Sequence, residues 1–179
     1  MSKDSGIYDA MNQALTLVNG LHVIFLNTGD VFYDDRVLQS ANSVIDGAAI
    51  AFGDTIDNEG RHYKAGALNN WKKMDFCHQS VFVRADLFAR GFDLNFPICA
   101  DRNFFASLAE GLPVKKVTTI ISIIERTGFS SQKPIKTIKE INQINRNHLK
   151  EFYVVGIFRL IYHQFRQLVK SLLGIFENA

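Results

Sequence analysis

An α/β fold built on a mixed sheet flanked by helices is expected for this chain, and three features of the sequence carry that expectation. Leu21–Leu26 and Ala48–Phe52 are short, nearly continuous apolar runs of the kind that form buried strands. Stretches with apolar residues at helical spacing lie before, between and after them. Each run ends in a polar turn with glycine and aspartate, Asn27-Thr28-Gly29-Asp30 and Gly53-Asp54. Strands alternating with helices place ligand chemistry at the carboxyl ends of the strands. A sheet made from these strands alone leaves one side of its first strand uncovered, so the sheet reads as incomplete at its front.

The elements follow in order. Ile7, Met11, Leu15 and Val18 share a helical stripe that Gly20 stops, predicting a helix over 7–19. Residues 21–26 then read as a central strand. Asp34 and Asp35 are placed to cap a helix through about Val44, with Leu38, Ala41 and Ile45 facing the core. Ala48–Phe52 is a second buried strand, Asp57-Asn58-Glu59-Gly60 a turn, and the segment to about Asp75 a loop. Phe76–Val83 mixes strand formers with His78, Gln79 and Ser80, and 85–89 reads as a short helix. Residues 101–110 form a helix closed by Gly111. Val114–Val117 and Thr119–Ile124 read as two strands, 127–131 as a loop, and Pro134 opens a helix to about Lys150.

The 179 residues, 47% hydrophobic and 21% charged, suit one folded domain and exclude a disordered or collagen-like chain. Cys77 and Cys99 lack the spacing of a zinc site or a disulfide framework and read as buried, reduced thiols. The first residues do not have the pattern of a signal peptide, so a cytoplasmic location is expected. The net charge of +2 is uneven: residues 1–132 hold 12 Lys/Arg against 15 Asp/Glu, and residues 133–179 hold 8 against 3. This divides the chain into a mildly acidic body, 1–132, and a basic helical tail, 133–179.

Three constellations are candidates for chemistry. Asp30, just past an apolar strand, is placed either to bind Mg²⁺ or Mn²⁺ beside a diphosphate or simply to cap the following helix. Asp101 sits at a loop-to-helix junction, as either a general base or an N-cap. His78 is a polar group in an apolar context, suited to phosphate or metal or to a half-buried structural hydrogen bond. Asp30 shows no second carboxylate or histidine beside it in sequence, which counts against a phosphohydrolase metal site.

Taken in order, Asp4-Ser5-Gly6-Ile7-Tyr8-Asp9-Ala10-Met11-Asn12, Phe25-Leu26-Asn27-Thr28-Gly29-Asp30, Gly53-Asp54, His78-Gln79-Ser80 and Ala100-Asp101 resemble successive blocks of bacterial family 2 glycosyltransferases. The resemblance runs from residue 2 to about Ser131. It implies an incomplete GT-A fold (nucleotide-diphospho-sugar transferase-like), lacking the N-terminal nucleotide-binding part. It implies transfer of a sugar from a UDP- or GDP-sugar to a hydroxyl acceptor with a divalent cation, Mn²⁺ or Mg²⁺. Asp30 matches the last acidic position of the family's DXD-like motif and would hold the metal, while Thr28 stands where many members carry an acidic residue or serine. Asp9 and Asn12 match positions lining the donor side, His78 joins them as a cofactor-binding residue, and Asp101 matches the usual base. Gly128–Ser131 matches the end of the catalytic domain.

In the tail, Arg159, His163, Arg166 and Lys170 fall on one helical stripe, and Ile157, Ile161, Phe165, Leu168, Leu172 and Ile175 on the other faces. Such C-terminal amphipathic helices fit an anionic membrane surface at the inner face of the cell membrane, or a partner chain, better than nucleic acid. The expected partners are the nucleotide-sugar donor, a saccharide or lipid-linked acceptor in bacterial cell-surface polysaccharide assembly, the membrane surface and a second copy of the chain. The competing reading is an inactive truncated transferase acting as a membrane-associated interaction module.

Overall fold

The computed structural model describes residues 4–125 and 133–150, together with positions 158, 161, 162 and 165. The expected fold class is found: helices flank a curved six-stranded mixed sheet. Helix α1 spans Ile7–Leu15 and is followed by strands β1, His22–Val23, and β2, Val31–Phe32. Helix α2, Val37–Ile45, precedes strands β3, Ile50–Asp57, β4, His62–Tyr63, and β5, Val81–Arg84. Helix α3, Ala100–Ser107, strand β6, Val114–Ile124, and helix α4, Pro134–Ile144, complete the order.

The sheet runs β1-β5-β3-β6-β2, with β4 also paired to β3. Strand β5 lies antiparallel to β3 over Ile50–Phe52, and β4 takes over the same edge at Thr55 and Ile56. Strand β6 runs parallel to β3. Ile50, Ala51 and Phe52 are fully buried, as a strand with neighbours on both sides requires.

Several boundaries differ from the sequence reading, each for an identifiable reason. The apolar run 21–26 is not a central strand: only His22 and Val23 pair, with Arg84 and Val83, and they lie at the sheet edge. Leu21 is accordingly 83% exposed. Tertiary placement, not hydrophobicity, decides which apolar run becomes central. Helix α1 ends at Leu15, because the N–H groups of Thr16, Leu17 and Val18 turn back to carbonyls three residues earlier. In α2 the buried face is Val37 and Ala41 rather than Leu38, which is exposed. The two strands expected over 114–124 are one, with a register irregularity between Phe52 and Thr55 of β3 absorbing the kink. His78 lies in a 3-10 turn, His78–Ser80, ahead of β5 rather than inside a strand.

The larger apolar core joins Tyr8 and Met11 of α1, Ile50 and Phe52 of β3, Val81 and Val83 of β5, and Phe104 and Phe105 of α3. Phe88, Phe92 and Phe104 form an aromatic cluster in it, with Phe88 and Phe104 stacked at 4.4 Å. Helix α4 belongs to the same core. Ile144 is fully buried, and the buried Glu140 carboxylate accepts the Ile98 and Cys99 N–H groups at 3.0 and 2.9 Å just ahead of α3. The folded body therefore continues through Lys150, past the compositional boundary at 132/133. No helix among the described residues is long and apolar enough to cross a membrane. The cationic stripe of the tail and the 128–131 match lie outside the described residues. Of the tail, Phe158, Ile161, Tyr162 and Phe165 are helical and exposed.

Burial of Ile144 gives a direct check. Ile144→Ala should lower stability by about 2–5 kcal/mol, read as a reduced urea midpoint. An unchanged midpoint would show α4 to be an appendage.

Candidate functional site

An open cleft of about 510 Å³ lies between α1 and the segment after β1. Ile7, Ala10 and Met11 form its apolar wall, and Asn27, Thr28, Asp30, Gln79 and Glu125 form its polar end. These polar groups come from three places: the 27–30 turn, the His78–Ser80 turn and the end of β6. The sheet edge brings them together.

Asp30 organises its own turn. Its Oδ2 accepts the Asn27 N–H at 3.1 Å and the Gln79 Nε2–H at 3.0 Å, and its Oδ1 accepts the Glu125 N–H at 3.0 Å. The carboxylate thus ties the turn to its two neighbours. It does not cap α2, which has no side-chain cap from Asp34 or Asp35 either; the Asp34 carboxylate accepts the Arg36 N–H at 2.9 Å ahead of the helix. Gly29 has φ +92°, and a Cβ on it would lie 2.6 Å from the Glu125 side chain, so only glycine lets that carboxylate close over the turn.

Asp101 is the hub of a second network. In the first turn of α3, its Oδ1 accepts the Tyr8 hydroxyl at 2.9 Å and the Arg102 N–H at 2.7 Å. Its Oδ2 lies 3.2 Å from Nδ1 of His78. Asn27 Nδ2 lies 3.2 Å from the other ring nitrogen of His78, Nε2. A carboxylate only accepts, so Nδ1 carries the ring proton, and the Nε2 lone pair receives the amide N–H of Asn27. Burial alone would raise the Asp101 carboxyl, but the hydrogen bonds it accepts from His78, the Arg102 N–H and the Tyr8 hydroxyl outweigh it and hold the group below the usual aspartate range. Burial and the neighbouring Asp101 charge push the Tyr8 phenol well up, so it stays protonated as a donor.

Two adjacent residues therefore hold two carboxylates: His78 holds Asp101 and Gln79 holds Asp30. The turn that carries them is anchored from below by a buried hydroxyl ladder, in which Ser80 bonds to Thr55 of β3 and lies 2.8 Å from Ser122 of β6. Cys77 donates its thiol to the Gln79 carbonyl oxygen at 2.7 Å, and burial pushes that thiol up to about 11. Both cysteines are free thiols; Cys99 is buried and Cys77 partly so.

The predicted residues separate into two groups. Asp30, Asp101 and His78 converge through Asn27 and Gln79. Asp9 and Asn12 do not join them or line the cleft. Asp9 accepts the Ser5 N–H at 2.8 Å on the exposed side of α1, and those Ser5 contacts hold its carboxyl below the usual range. Asn12 gives both ends of its amide to the Phe92 backbone, at 2.9 and 2.7 Å, over Gly91 at φ +61°. It brackets α1 to that loop. Tyr8, Asn27, Gln79 and Glu125 were not singled out by sequence. Tyr8, Asn27 and Gln79 stood inside the motifs quoted, and Glu125 comes from 95 residues beyond Asp30.

Among the described residues, the formal charges lining the cleft are the carboxylates Asp30 and Glu125, with no Lys or Arg beside them. A diphosphate entering such a cleft is repelled unless a cation accompanies it. The described residues gather no cage of three His, Cys, Asp or Glu. Mg²⁺ and Mn²⁺ shared with substrate phosphates need only one or two protein carboxylates, so the donor set fits that arrangement.

The lowered Asp101 group gives a sign-definite prediction. Its folded value lies below the unfolded one, so its stabilising contribution is present above about pH 4 and is lost as pH falls through the folded value. Unfolding free energy should therefore decline on acidification below about pH 4, and less steeply in Asp101→Asn. Parallel declines would refute the hydrogen-bonded assignment of Asp101.

No family model matches the chain. Over 109 residues it is 29% identical to a protein of Mycobacterium bovis named PGL/p-HBAD biosynthesis glycosyltransferase, and equally to one so named from Mycobacterium tuberculosis. The match covers 56% of this chain and 43% of each relative, so the chain spans less than half the length of the curated relatives it matches. Its fold is similar to that of S. aureus TarS 1-349, solved in complex with UDP, with a TM-score of 0.56 and 15% identity over 87% of this chain and 49% of that one. Part of the chain is thus similar in sequence to mycobacterial proteins named glycosyltransferases, and its mixed sheet with flanking helices is of the GT-A type.

Proposed function

We propose that this chain forms the metal-binding and acceptor-side portion of a glycosyltransferase of family 2 type, which moves a sugar from a UDP- or GDP-sugar to a hydroxyl acceptor. The observation that carries this reading is the single turn His78-Gln79, which sets a partly buried carboxylate–imidazole pair beside a cleft ending in Asp30 and Glu125. Transfer to an alcohol needs a proton acceptor and a means of stabilising a departing diphosphate, and those two needs match these two ends of the site. The TarS structure holds UDP, which favours a nucleotide-linked donor for this fold.

In the proposed reaction the acceptor oxygen attacks the anomeric carbon of the donor. The bond from that carbon to the diphosphate oxygen breaks, and its electron pair leaves with the nucleoside diphosphate. The acceptor's proton passes to the Asp101–His78 pair, which the Tyr8 and Arg102 donors keep oriented. A Mg²⁺ or Mn²⁺ held by Asp30, with Glu125 in the same cleft, would supply charge stabilisation to the leaving diphosphate. The acceptor class proposed is a saccharide or lipid-linked precursor of bacterial cell-surface glycans, in line with the naming of the mycobacterial relatives. The exposed Phe158, Ile161, Tyr162 and Phe165 favour contact of the tail with a membrane surface or a second copy. The competing reading, a silent interaction module, draws on one observation: Asp101 does not line the open cleft.

Calorimetric titration with UDP and Mn²⁺ separates the two. Saturable, metal-dependent binding is expected, lost in Asp30→Ala and Asp30→Asn, the second of which keeps an oxygen acceptor for the turn. Absence of binding by the folded wild-type chain would favour the silent module.

A further inference from the structure

The route by which a proton reaches Asp101 is constrained by the packing around it. All three of its donors are in place, two on Oδ1 and the His78 ring on Oδ2. The space beside it is a cavity of about 20 Å³ walled by Phe25, Phe92 and Phe104, room for no more than one water. A sugar hydroxyl does not fit in that cavity, which His78 lines as well. The Nε2 atom of His78 contacts Asn27, however, and Asn27, unlike His78 and Asp101, lines the open cleft.

We propose that His78 Nε2 is the atom that receives the acceptor's proton, with Asp101 as its positioning partner and the Asn27 amide occupying, in this structure, the place of the acceptor hydroxyl. This inference rests on the transferase reading. The Asn27 amide and a sugar hydroxyl are the same kind of partner for that lone pair: each presents one hydrogen to a neutral imidazole nitrogen. When the acceptor O–H replaces the amide N–H, the oxygen attacks the anomeric carbon, the bond to the diphosphate oxygen breaks, and the proton moves to Nε2. The imidazolium so formed faces a carboxylate across a 3.2 Å contact, in a partly buried setting beside the aromatic cluster. The proton then returns to solvent when product leaves, and Asn27 resumes its bond. The arrangement assigns Asp101 the orienting role that a carboxylate plays behind a general-base histidine.

The test uses the whole chain with Mn²⁺ and a panel of UDP- and GDP-hexoses, following release of the nucleoside diphosphate with water as the accepting hydroxyl. His78→Ala should lose roughly 100- to 10,000-fold in kcat with little change in donor KM, as removal of a proton acceptor predicts. Added imidazole should restore part of that rate in His78→Ala and none in Asp101→Ala. If His78→Ala does not fold by circular dichroism, His78→Gln, which keeps an amide donor toward Asp101 but has no basic nitrogen, should show the same loss confined to kcat. Retained activity in either His78 variant, a loss without imidazole rescue in folded His78→Ala, or formate rescue of Asp101→Ala, would overturn the assignment and return the base to Asp101. Failure of the wild-type chain both to bind UDP with Mn²⁺ and to release any diphosphate would instead sink the transferase reading itself, and this role with it.

Discussion

His78 and Gln79 are neighbours in the chain, yet their side chains serve carboxylates that come from opposite ends of the sequence reading. The imidazole reaches Asp101 at the start of α3, and the amide reaches Asp30 in the turn after β1. Such divergence is possible because a 3-10 turn, unlike a strand, sends successive side chains in directions about a third of a revolution apart. The turn stays in place through the Ser80 hydroxyl, wedged between Thr55 and Ser122 in the centre of the sheet. All three residues are nearly inaccessible, where an unpaired hydroxyl would be costly. A polar ladder through the middle of an otherwise apolar sheet therefore fixes where both acids stand.

The rest of the structure supports that arrangement from two sides. On one side the aromatic cluster of Phe88, Phe92 and Phe104 closes over Asp101 and lowers the local dielectric, which strengthens the His78 contact. Tyr8 enters this enclosure from α1, and Asn12, one turn on, fastens the same helix to the Phe92 backbone. On the other side Glu140 of α4 grips the two N–H groups ahead of α3 and so sets the position of the first turn that carries Asp101. Helix α1 and helix α4, the first and last described elements of the body, thus both act on one carboxylate.

Much of this was legible in the sequence. The α/β class, the helix at 7, the buried strand around Ile50–Phe52 and the helix beginning near Asp101 follow from periodicity and from where glycines fall. Asp30, His78 and Asp101 were each identifiable as polar groups at element ends. Their convergence was not, because it depends on strand order, and the run at 21–26 looks central by hydrophobicity while it lies at an edge. Gln79, Asn27 and Tyr8 carry no periodic signal that distinguishes a network member from a surface residue. Glu125 could be found only by knowing that β6 is one long strand whose end returns beside β2, through the Val31–Ile123 pairing. Within one strongly patterned block, Tyr8 reaches Asp101 while Asp9 and Asn12 bond to Ser5 and to the Phe92 backbone, a reminder that a motif fixes position more firmly than it fixes role.

The central claim is that one turn presents an imidazole whose Nδ1 donates to Asp101 and whose Nε2 lone pair meets Asn27 at the edge of the cleft. Long-range proton–nitrogen NMR of the nitrogen-labelled chain near neutral pH, with His78 assigned by its loss in His78→Gln, reads that tautomer directly. The account predicts a neutral ring with the proton on Nδ1, whose signals shift when UDP and Mg²⁺ are added. A neutral ring protonated on Nε2, in a folded chain, would contradict it.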